Sequence, residues 1–323
     1  MSTAAASSPA PEDSRTLRCP ATHIDTSGAW LFWSSAPTPA LIRSLERHGQ
    51  LVPVLVDASG PTPVLIAGAA RVAALAAAGR DVLCLDLGSL DEMARGLAHM
   101  QSNIDRELND AQVVAAMRYF RSIPSADMSP VLESLGLEPR SKRLRLIDAW
   151  LTLPKKWDLL LNNVPLACAE LLAGFPREEL PGLEPLFNSL SWSRGNAVNL
   201  LTWLRETSLR DGIGAGALLE DCGMREILES GLSPKDVMTR IAFEVRRRRF
   251  PRLSALERDF AEAARKTSAG TRWRMVQPDQ FESGAVEMTV RVKSPAELRA
   301  AATELTLIAA RKDLASLFPA EDS

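Results

Sequence analysis

The sequence contains no run of 18 consecutive apolar residues, so no segment is typical of a membrane-spanning helix. The Ala-, Ser- and Pro-rich beginning lacks the charged segment followed by an apolar segment that is typical of a signal peptide. We therefore predict a cytoplasmic protein with no membrane partner. A C-x-x-C pair is also absent, which argues against a cysteine-based metal or redox motif. The cysteines are predicted to be reduced thiols, mostly in the core: Cys19, Cys84, Cys168 and Cys222.

The usual motifs of catalytic sites are missing as well. The chain has no P-loop, no G-x-S-x-G and no H-E-x-x-H, and His23, His48 and His99 are not at metal-ligand spacing. We therefore predict no catalytic residues and no metal ligands.

No long part of the chain is strongly basic. The formal net charge is −2, and Lys plus Arg do not outnumber Asp plus Glu in residues 1–124, 125–250 or 251–323. This balance argues against broad non-specific binding of nucleic acid, although a local basic patch can still bind DNA.

The pattern of residues 41–87 predicts a small mixed α/β unit. Apolar positions at helical spacing end at Gly49, and two β-branched runs, residues 53–56 and 64–66, flank a turn and predict a hairpin. Gly68 then precedes a small-residue helix over residues 69–78, and residues 82–87 predict a further strand. A glycine before a helix either forms a simple turn or lets the backbone approach a phosphate closely.

Three short motifs in this region resemble the N-terminal domain of the ParB family, which partitions chromosomes and plasmids. The motifs are helix-Gly-x-x-x-Pro-strand, strand-x-x-Gly-x-x-Arg-helix and Asn-x-x-Arg-x-x-Leu. The resemblance implies that these three boxes bind CTP with Mg²⁺ and that the nucleotide closes a dimeric clamp on DNA. The nucleotide-binding residues implied in this way are Gly49, Pro53, Gly68, Arg71, Asn103 and Arg106.

The boxes also depart from the family pattern. Val52 stands where the first box usually has Gln, and the second box has Ala69, Ala70 and Ala73 in place of a Glu and two Arg. In the third box Ser102 replaces Glu and Asp105 replaces Gln. Because a triphosphate is usually held by Arg side chains and a metal by carboxylates, we expect weak or altered CTP binding and no hydrolysis. Sulfiredoxin shares the superfamily, but Ala69-Ala70-Arg71 occupies the place of its catalytic Cys, which disfavours that activity.

Residues near the amino terminus predict the edge of this unit. Residues 1–16 have the composition of a disordered tail, and residues 17–24 suggest a first strand. Trp30, Phe32 and Trp33 form an apolar cluster that either packs over the sheet, the favoured reading, or offers a platform for a nucleobase.

A helix-turn-helix pattern follows the third box, where ParB relatives carry their DNA-reading motif. A helix over residues 110–120 is capped by Asn109, a short helix begins at Ser129, and a second helix opens with Pro139 after a turn at Gly136. The run to Leu153-Pro154 is about two residues longer than is usual in the family. Four cations fall on the second helix and are either DNA contacts or a solvated basic face: Arg140, Lys142, Arg143 and Arg145.

The remainder of the chain predicts helices and one small sheet. Residues 157–229 are all-helical, and a helix opened by Ser233-Pro234 ends in Arg246, Arg247, Arg248 and Arg249. These arginines are either a second nucleic-acid surface or cations that complement the helix dipole. Residues 254–266 predict a helix, 271–276 and 286–292 strands, and 294–317 a last helix.

We therefore predict an α+β protein with three folded parts after its tail. These are a ParB/sulfiredoxin-like domain over residues 17–108, a helical, helix-turn-helix-like domain over 109–250 and an α-β-β-α segment over 251–323. The predicted function is that of a nucleoid-associated, ParB-like DNA-binding protein, and the resemblance implies a homodimer and a ParA-type ATPase as partners. The alternative is a protein-protein adaptor that keeps the fold and binds neither nucleotide nor DNA.

Overall fold

The chain has a mixed α+β fold, as predicted. The computed structural model describes residues 15–105 and 107–318, and the chain divides into two compact units, Met1–Leu201 and Thr202–Ser323. The domain boundaries predicted after residues 108 and 250 stay predictions. Within the described ranges, no helix is both long and apolar enough to cross a lipid bilayer.

The first unit contains a four-stranded sheet. Its strands are β1 (Arg15–Pro20), β2 (Val54–Asp57), β3 (Val64–Ala67) and β4 (Asp81–Asp86), in the order β1-β4-β2-β3. The predicted hairpin is confirmed, since β2 and β3 are antiparallel; β1 is antiparallel to β4, and β2 is parallel to β4. These pairings place the start of β2, which follows the first box, beside the end of β3, which precedes the second box.

The beginning of the chain differs from the prediction in two ways. Arg15 and Thr16 pair with β4 and so belong to β1, whereas the rest of the predicted tail, residues 1–14, lies outside the described residues. β1 ends at Pro20 and is followed by a 3-10 turn over Ala21–His23, where the prediction continued the strand to residue 24. Proline has no N–H for a strand ladder, which explains the early end.

Six helices surround this sheet or follow it. They are α1 (Pro39–His48), α2 (Ala69–Ala77), α3 (Glu92–Gln101), α4 (Asp110–Arg121), α5 (Ser129–Ser134) and α6 (Lys142–Leu151). Local capping sets several of their starts: Thr38 caps α1, Asp91 caps α3, and Asn109 and Gln112 form a capping box on α4. The predictions did not include α3.

Short helices complete the first unit, as the proline-interrupted pattern predicted. They are α7 (Ala169–Ala173), α8 (Leu180–Leu183) and α9 (Pro185–Asn188), and α10 (Arg194–Asp211) contains the boundary between the units. The sheet core is built on buried residues such as Val54, Val56, Leu65 and Cys84. Trp150 and Trp157, fully buried, anchor the helical part.

The second unit is helical with one small sheet. Its elements are α11 (Ala215–Asp221), α12 (Met224–Leu228), α13 (Pro234–Arg249), α14 (Pro251–Ser268), β5 (Arg274–Val276), β6 (Glu287–Thr289) and α15 (Pro295–Ala309). β5 and β6 are antiparallel, and their core consists of Ala263, Met275, Ile308 and Leu317. The predicted strands were too long. The last helix was predicted to continue to residue 317, but it ends at Ala309, and a 3-10 turn, Lys312–Leu317, follows it.

Candidate functional site

The loop of the first box is anchored to the sheet by a side chain that the sequence did not single out. Gly49 ends α1, and Gln50 follows it. The Gln50 amide donates to the carbonyl oxygen of Leu83 at 2.8 Å and accepts from the Leu83 N–H at 2.7 Å, so it pairs with β4 as a strand residue would. Leu51 and Val52 remain 77% and 62% exposed at the tip of this loop.

The second box contains a position that only glycine fits. Gly68 has φ 105° and precedes α2. A Cβ built on it would lie 2.7 Å from Cγ1 of Val54, closer than real Cβ contacts. The glycine therefore sets the packing of the start of α2 against β2.

Arg71 joins the second box to the first. Its Nη1 donates to the carbonyl oxygens of Val52 and Pro53, at 2.7 and 2.8 Å. Burial lowers the pKa of this guanidinium, and the two carbonyls supply part of the polar environment that water would otherwise provide. Gly68, Arg71 and Pro53 are therefore close together.

The third box follows the end of α3, and its polar groups also bond to the protein. The Ser102 hydroxyl and the Asn103 amide both donate to the carbonyl oxygen of His99, at 2.7 and 2.8 Å. His99 is buried, and its Nδ1 lies 2.8 Å from the carbonyl oxygen of Ile66 on β3, which brings the end of α3 near the second box. Arg106 lies outside the described residues.

These arrangements leave few side-chain groups for a magnesium-bound triphosphate. Arg71 and Asn103 direct side-chain donors to backbone carbonyls, and Ser102 directs its hydroxyl to a carbonyl where the family has a carboxylate. A triphosphate carries about four negative charges and is usually compensated by several Arg or Lys side chains together with the metal. Among residues 15–105 and 107–318, no group of three or more His, Cys, Asp and Glu is arranged to hold a metal ion.

A buried ion pair at the end of β2 that lies away from the first two boxes was not predicted. Asp57, 1% exposed, accepts from Nη2 of Arg95 at 2.8 Å, from the Ser59 hydroxyl at 2.6 Å and from the Leu90 N–H at 3.2 Å. Burial raises the pKa of this carboxyl, but the hydrogen bonds from Ser59, Arg95 and Leu90 outweigh it and lower the pKa to about 2. The sequence showed Asp57 only as a turn residue, because Arg95 lies on the unpredicted helix α3.

The aromatic cluster packs against the sheet and the neighbouring helices, as the favoured interpretation predicted. The indole of Trp30 donates to the carbonyl oxygen of Leu65 at 2.7 Å, and the guanidinium of Arg95 lies 4.7 Å from its ring centre. Trp33 is buried and donates to the carbonyl oxygen of Gln112 at 2.8 Å. Phe32 lies edge-on to Trp33.

Two helices joined by a turn, α5 and α6, lie where the helix-turn-helix was predicted, and the start of the second helix needs one correction. The prediction started the second helix at Pro139 and placed Arg140 on it. Arg140 instead has φ 64° and lies in the turn. α6 begins at Lys142, because the Ser141 hydroxyl accepts from the Leu144 N–H at 3.2 Å and caps the helix.

The four predicted DNA contacts lie in the turn before α6 or in the first four residues of that helix. Arg140, Lys142, Arg143 and Arg145 are exposed, whereas the apolar side of α6 is buried through Leu144, Leu146, Ile147 and Trp150. Arg143 donates to Asp110 at 3.1 Å, with both side chains nearly half exposed. Lys142 and Arg145 are thus presented in the first turn or so of α6, away from its core.

The arginine run at the end of α13 differs from this patch, because each member pairs with a carboxylate. The pairs are Arg246 with Glu257, Arg247 with Glu244, Arg248 with Asp211 and Arg249 with Glu206, at 2.7, 2.7, 3.3 and 2.6 Å. Arg210 also donates to the carbonyl oxygens of Arg248 and Arg249, both at 3.0 Å, which satisfies the end of the helix. These contacts favour the interpretation that the run complements the helix dipole over the interpretation that it binds nucleic acid.

Comparison with known proteins adds no relative to these observations. No protein-family model matches the chain, and a search of curated proteins finds no match.

Proposed function

We propose that the chain is a ParB-like DNA-associated protein, acting in chromosome or plasmid partition or in related regulation, and that it contacts DNA through the start of α6. The observation that carries this proposal is the position of the cations. Lys142, Arg143 and Arg145 lie in the first four residues of the helix and are exposed.

Helix stability does not account for cations at this end. The N-terminus of a helix carries a partial positive charge, and a cation there is unfavourable by roughly the 0.3–1 kcal/mol that an anion would gain. The arginines of α13 lie at the opposite, favourable end of their helix and are paired. The start of α6 therefore concentrates positive charge that suits a phosphate rather than the fold.

The geometry around α6 supports double-stranded DNA as the ligand. In helix-turn-helix proteins the N-terminal residues of the second helix contact base edges, while neighbouring cations and backbone groups contact phosphates. The exposed side chains of Lys142 and Arg145 lie at that end of α6, and Arg140 lies in the turn before it. We assign phosphate contact to Arg140 and Lys142, and either phosphate or guanine contact to Arg145.

The DNA proposal is tested by charge removal with a matched control. Fluorescence anisotropy with sheared genomic DNA and with a random 30-base-pair duplex would compare wild type with Lys142→Ala plus Arg145→Ala. Arg43→Ala plus Arg47→Ala removes two exposed cations from α1 and serves as the control. We expect the first variant to bind about tenfold more weakly and its salt slope to fall by about 2, because each lost phosphate contact changes the slope by roughly 0.9. Equal DNA binding by the two variants would show that α6 does not contact DNA.

We propose further that the three boxes form a degenerate nucleotide pocket, with weak or altered CTP binding and no hydrolysis. The bonds of Arg71, Ser102 and Asn103 to backbone carbonyls support this loss. Calorimetric titration with CTP and Mg²⁺, for wild type and Arg71→Ala, separates a pocket that still binds weakly from one that does not bind. If neither protein gives heat, the proposal of nucleotide binding is rejected, and the DNA proposal is unaffected.

The alternative function is that of a protein-protein adaptor. The exposure of Leu51, Val52 and Ile104, at 77%, 62% and 70%, favours it, because exposed apolar side chains are common at protein contacts. An adaptor binds neither CTP nor DNA, so wild-type protein inactive in both assays would select it. A ParA-type ATPase encoded beside this chain would favour partition.

A further inference from the structure

A groove in the second unit is separate from both candidate sites. It has a volume of about 520 Å³ and lies between α14 and β5. This volume is within the range of roughly 300–1,000 Å³ that is usual for ligand sites. One wall is formed by α14, through Phe260, Ala264 and Arg265, and the other by residues 273–277.

The aromatic walls of the groove are held in place by contacts outside it. The indole of Trp273 donates to the carbonyl oxygen of Ala301 at 2.9 Å. The ring of Phe260 lies edge-on to Phe281, with ring centres 5.8 Å apart. A ligand would therefore meet preformed apolar surfaces, which reduces the entropy lost on binding.

β5 offers an unpaired strand edge to this groove. In the described part of the chain its sheet has two strands, so one edge of β5 pairs with β6 and the other pairs with no strand. Residues 273–277 line the groove and none of β6 does, which places the groove on the free side of β5. The N–H and C=O groups of such an edge can pair with an extended chain, while the side chains of that chain contact the facing helix.

The positive charges that line the groove determine which kind of peptide segment can bind there. Arg265 and Arg274, both exposed, line it, and no Asp or Glu is among its lining residues. A second copy of this protein pairing through β5 would bring two more arginines to the same place, which would be repulsive. A segment with carboxylates would instead compensate both cations.

We propose that this groove binds an extended peptide segment of a partner protein, with carboxylate side chains alternating with apolar ones. The segment adds a strand to the free edge of β5. Its apolar side chains pack on Phe260, Ala264 and Trp273, and its carboxylates pair with Arg265 and Arg274. The proposal is independent of DNA binding, since it uses neither α6 nor the three boxes.

The test uses a defined probe rather than an unidentified partner. A fluorescein-labelled hexapeptide of alternating Glu and Val would be titrated with the full chain and followed by anisotropy, beside a hexapeptide of alternating Lys and Val. A third peptide has the Glu-Val sequence with alternate backbone amides methylated. The variant is Arg265→Glu plus Arg274→Glu, and Arg258→Glu plus Arg299→Glu, exposed cations that do not line the groove, has the same charge change.

We expect the Glu-Val peptide to bind wild type and the control variant alike, and to bind the groove variant at least about tenfold more weakly. Backbone methylation should weaken binding by a similar factor, because it removes strand pairing. The proposal is overturned if the Glu-Val peptide does not bind, if the Lys-Val peptide binds equally well, or if methylation has no effect. Sedimentation that shows a dimer dissociated by the peptide would assign the groove to a second copy instead. Circular dichroism melts confirm that each variant is folded.

Discussion

The guanidinium of Arg71 lies 2.8 Å from the carbonyl oxygen of Pro53, and this contact ties the second box directly to the first. Together with the bond to Val52, it makes Arg71 a structural residue of the loop that precedes β2. The residue that most resembles a phosphate ligand thus already has partners.

Arg71→Ala should lower the free energy of unfolding by about 1–3 kcal/mol, because two carbonyls lose a charged donor in a partly buried place. Urea denaturation followed by tryptophan fluorescence measures the change. Arg47→Ala, an exposed position on α1, is the control and should change stability by less than about 0.5 kcal/mol. Equal stability of the two variants would show that the contact with Pro53 contributes nothing.

Gly68→Ala should destabilise the protein by about 2 kcal/mol or more, because the new Cβ meets Val54 and the backbone has positive φ. Gly195→Ala is the matched control, since Gly195 lies in α10 with open space around it. That substitution should be neutral or stabilising by up to about 1 kcal/mol. Thermal melts of both variants measure this difference, and equal melting temperatures would show that position 68 accepts a Cβ.

The Asp57 carboxyl should make stability depend on pH. Its pKa in the folded protein is about 2, below the ordinary value of 3.8, so its contribution is complete above about pH 4 and is lost as pH falls toward 2. The shift corresponds to about 2 kcal/mol at pH 7. Asp57→Asn should therefore be less stable than wild type by about that amount or more, since Arg95 is left without its partner.

Urea denaturation at pH 7, 5, 4 and 3 tests this expectation. The difference between wild type and Asp57→Asn should be constant from pH 7 to 5 and should narrow below about pH 4. A difference that stays constant to pH 3 would mean that the folded carboxyl titrates at its ordinary pKa.

Lys142→Glu should have opposite effects on stability and on DNA binding. A carboxylate at the first position of α6 suits the helix dipole, so the free energy of unfolding should rise by about 0.3–1 kcal/mol. DNA affinity should fall about tenfold, because a cation is lost and an anion is added near the phosphates. Thermal melts and anisotropy on the same preparation measure both. A loss of stability together with DNA affinity would indicate that the substitution only disrupts the unit.

Local interactions made much of the fold predictable from sequence. The capping box of Asn109 with Gln112, the Ser233-Pro234 start of α13 and the Ser294-Pro295 start of α15 depend on groups three or fewer residues apart, and all three helices were predicted. The hairpin of β2 and β3 was predictable because a short turn joins two β-branched runs. α3 was not predicted, although Asp91 caps it by the same local rule.

The sequence by itself determined where the boxes, the pair of helices α5 and α6 and the arginine run lie, and that glycine precedes α2. Only the tertiary structure decided what most of the charged groups contact. Arg71 bonds Val52, 19 residues away, and Arg95 pairs with Asp57, 38 residues away. Three of the four arginines that end α13 meet carboxylates on other helices. The reason is physical, since a long charged side chain reaches any partner that folding brings within a few ångströms, and neither spacing nor periodicity specifies that partner. The same rule separates two basic clusters that look alike in sequence. At the end of α13 each arginine pairs with a carboxylate. At the start of α6 Arg143 pairs with Asp110, whereas Lys142 and Arg145 are exposed on the side away from the helix core.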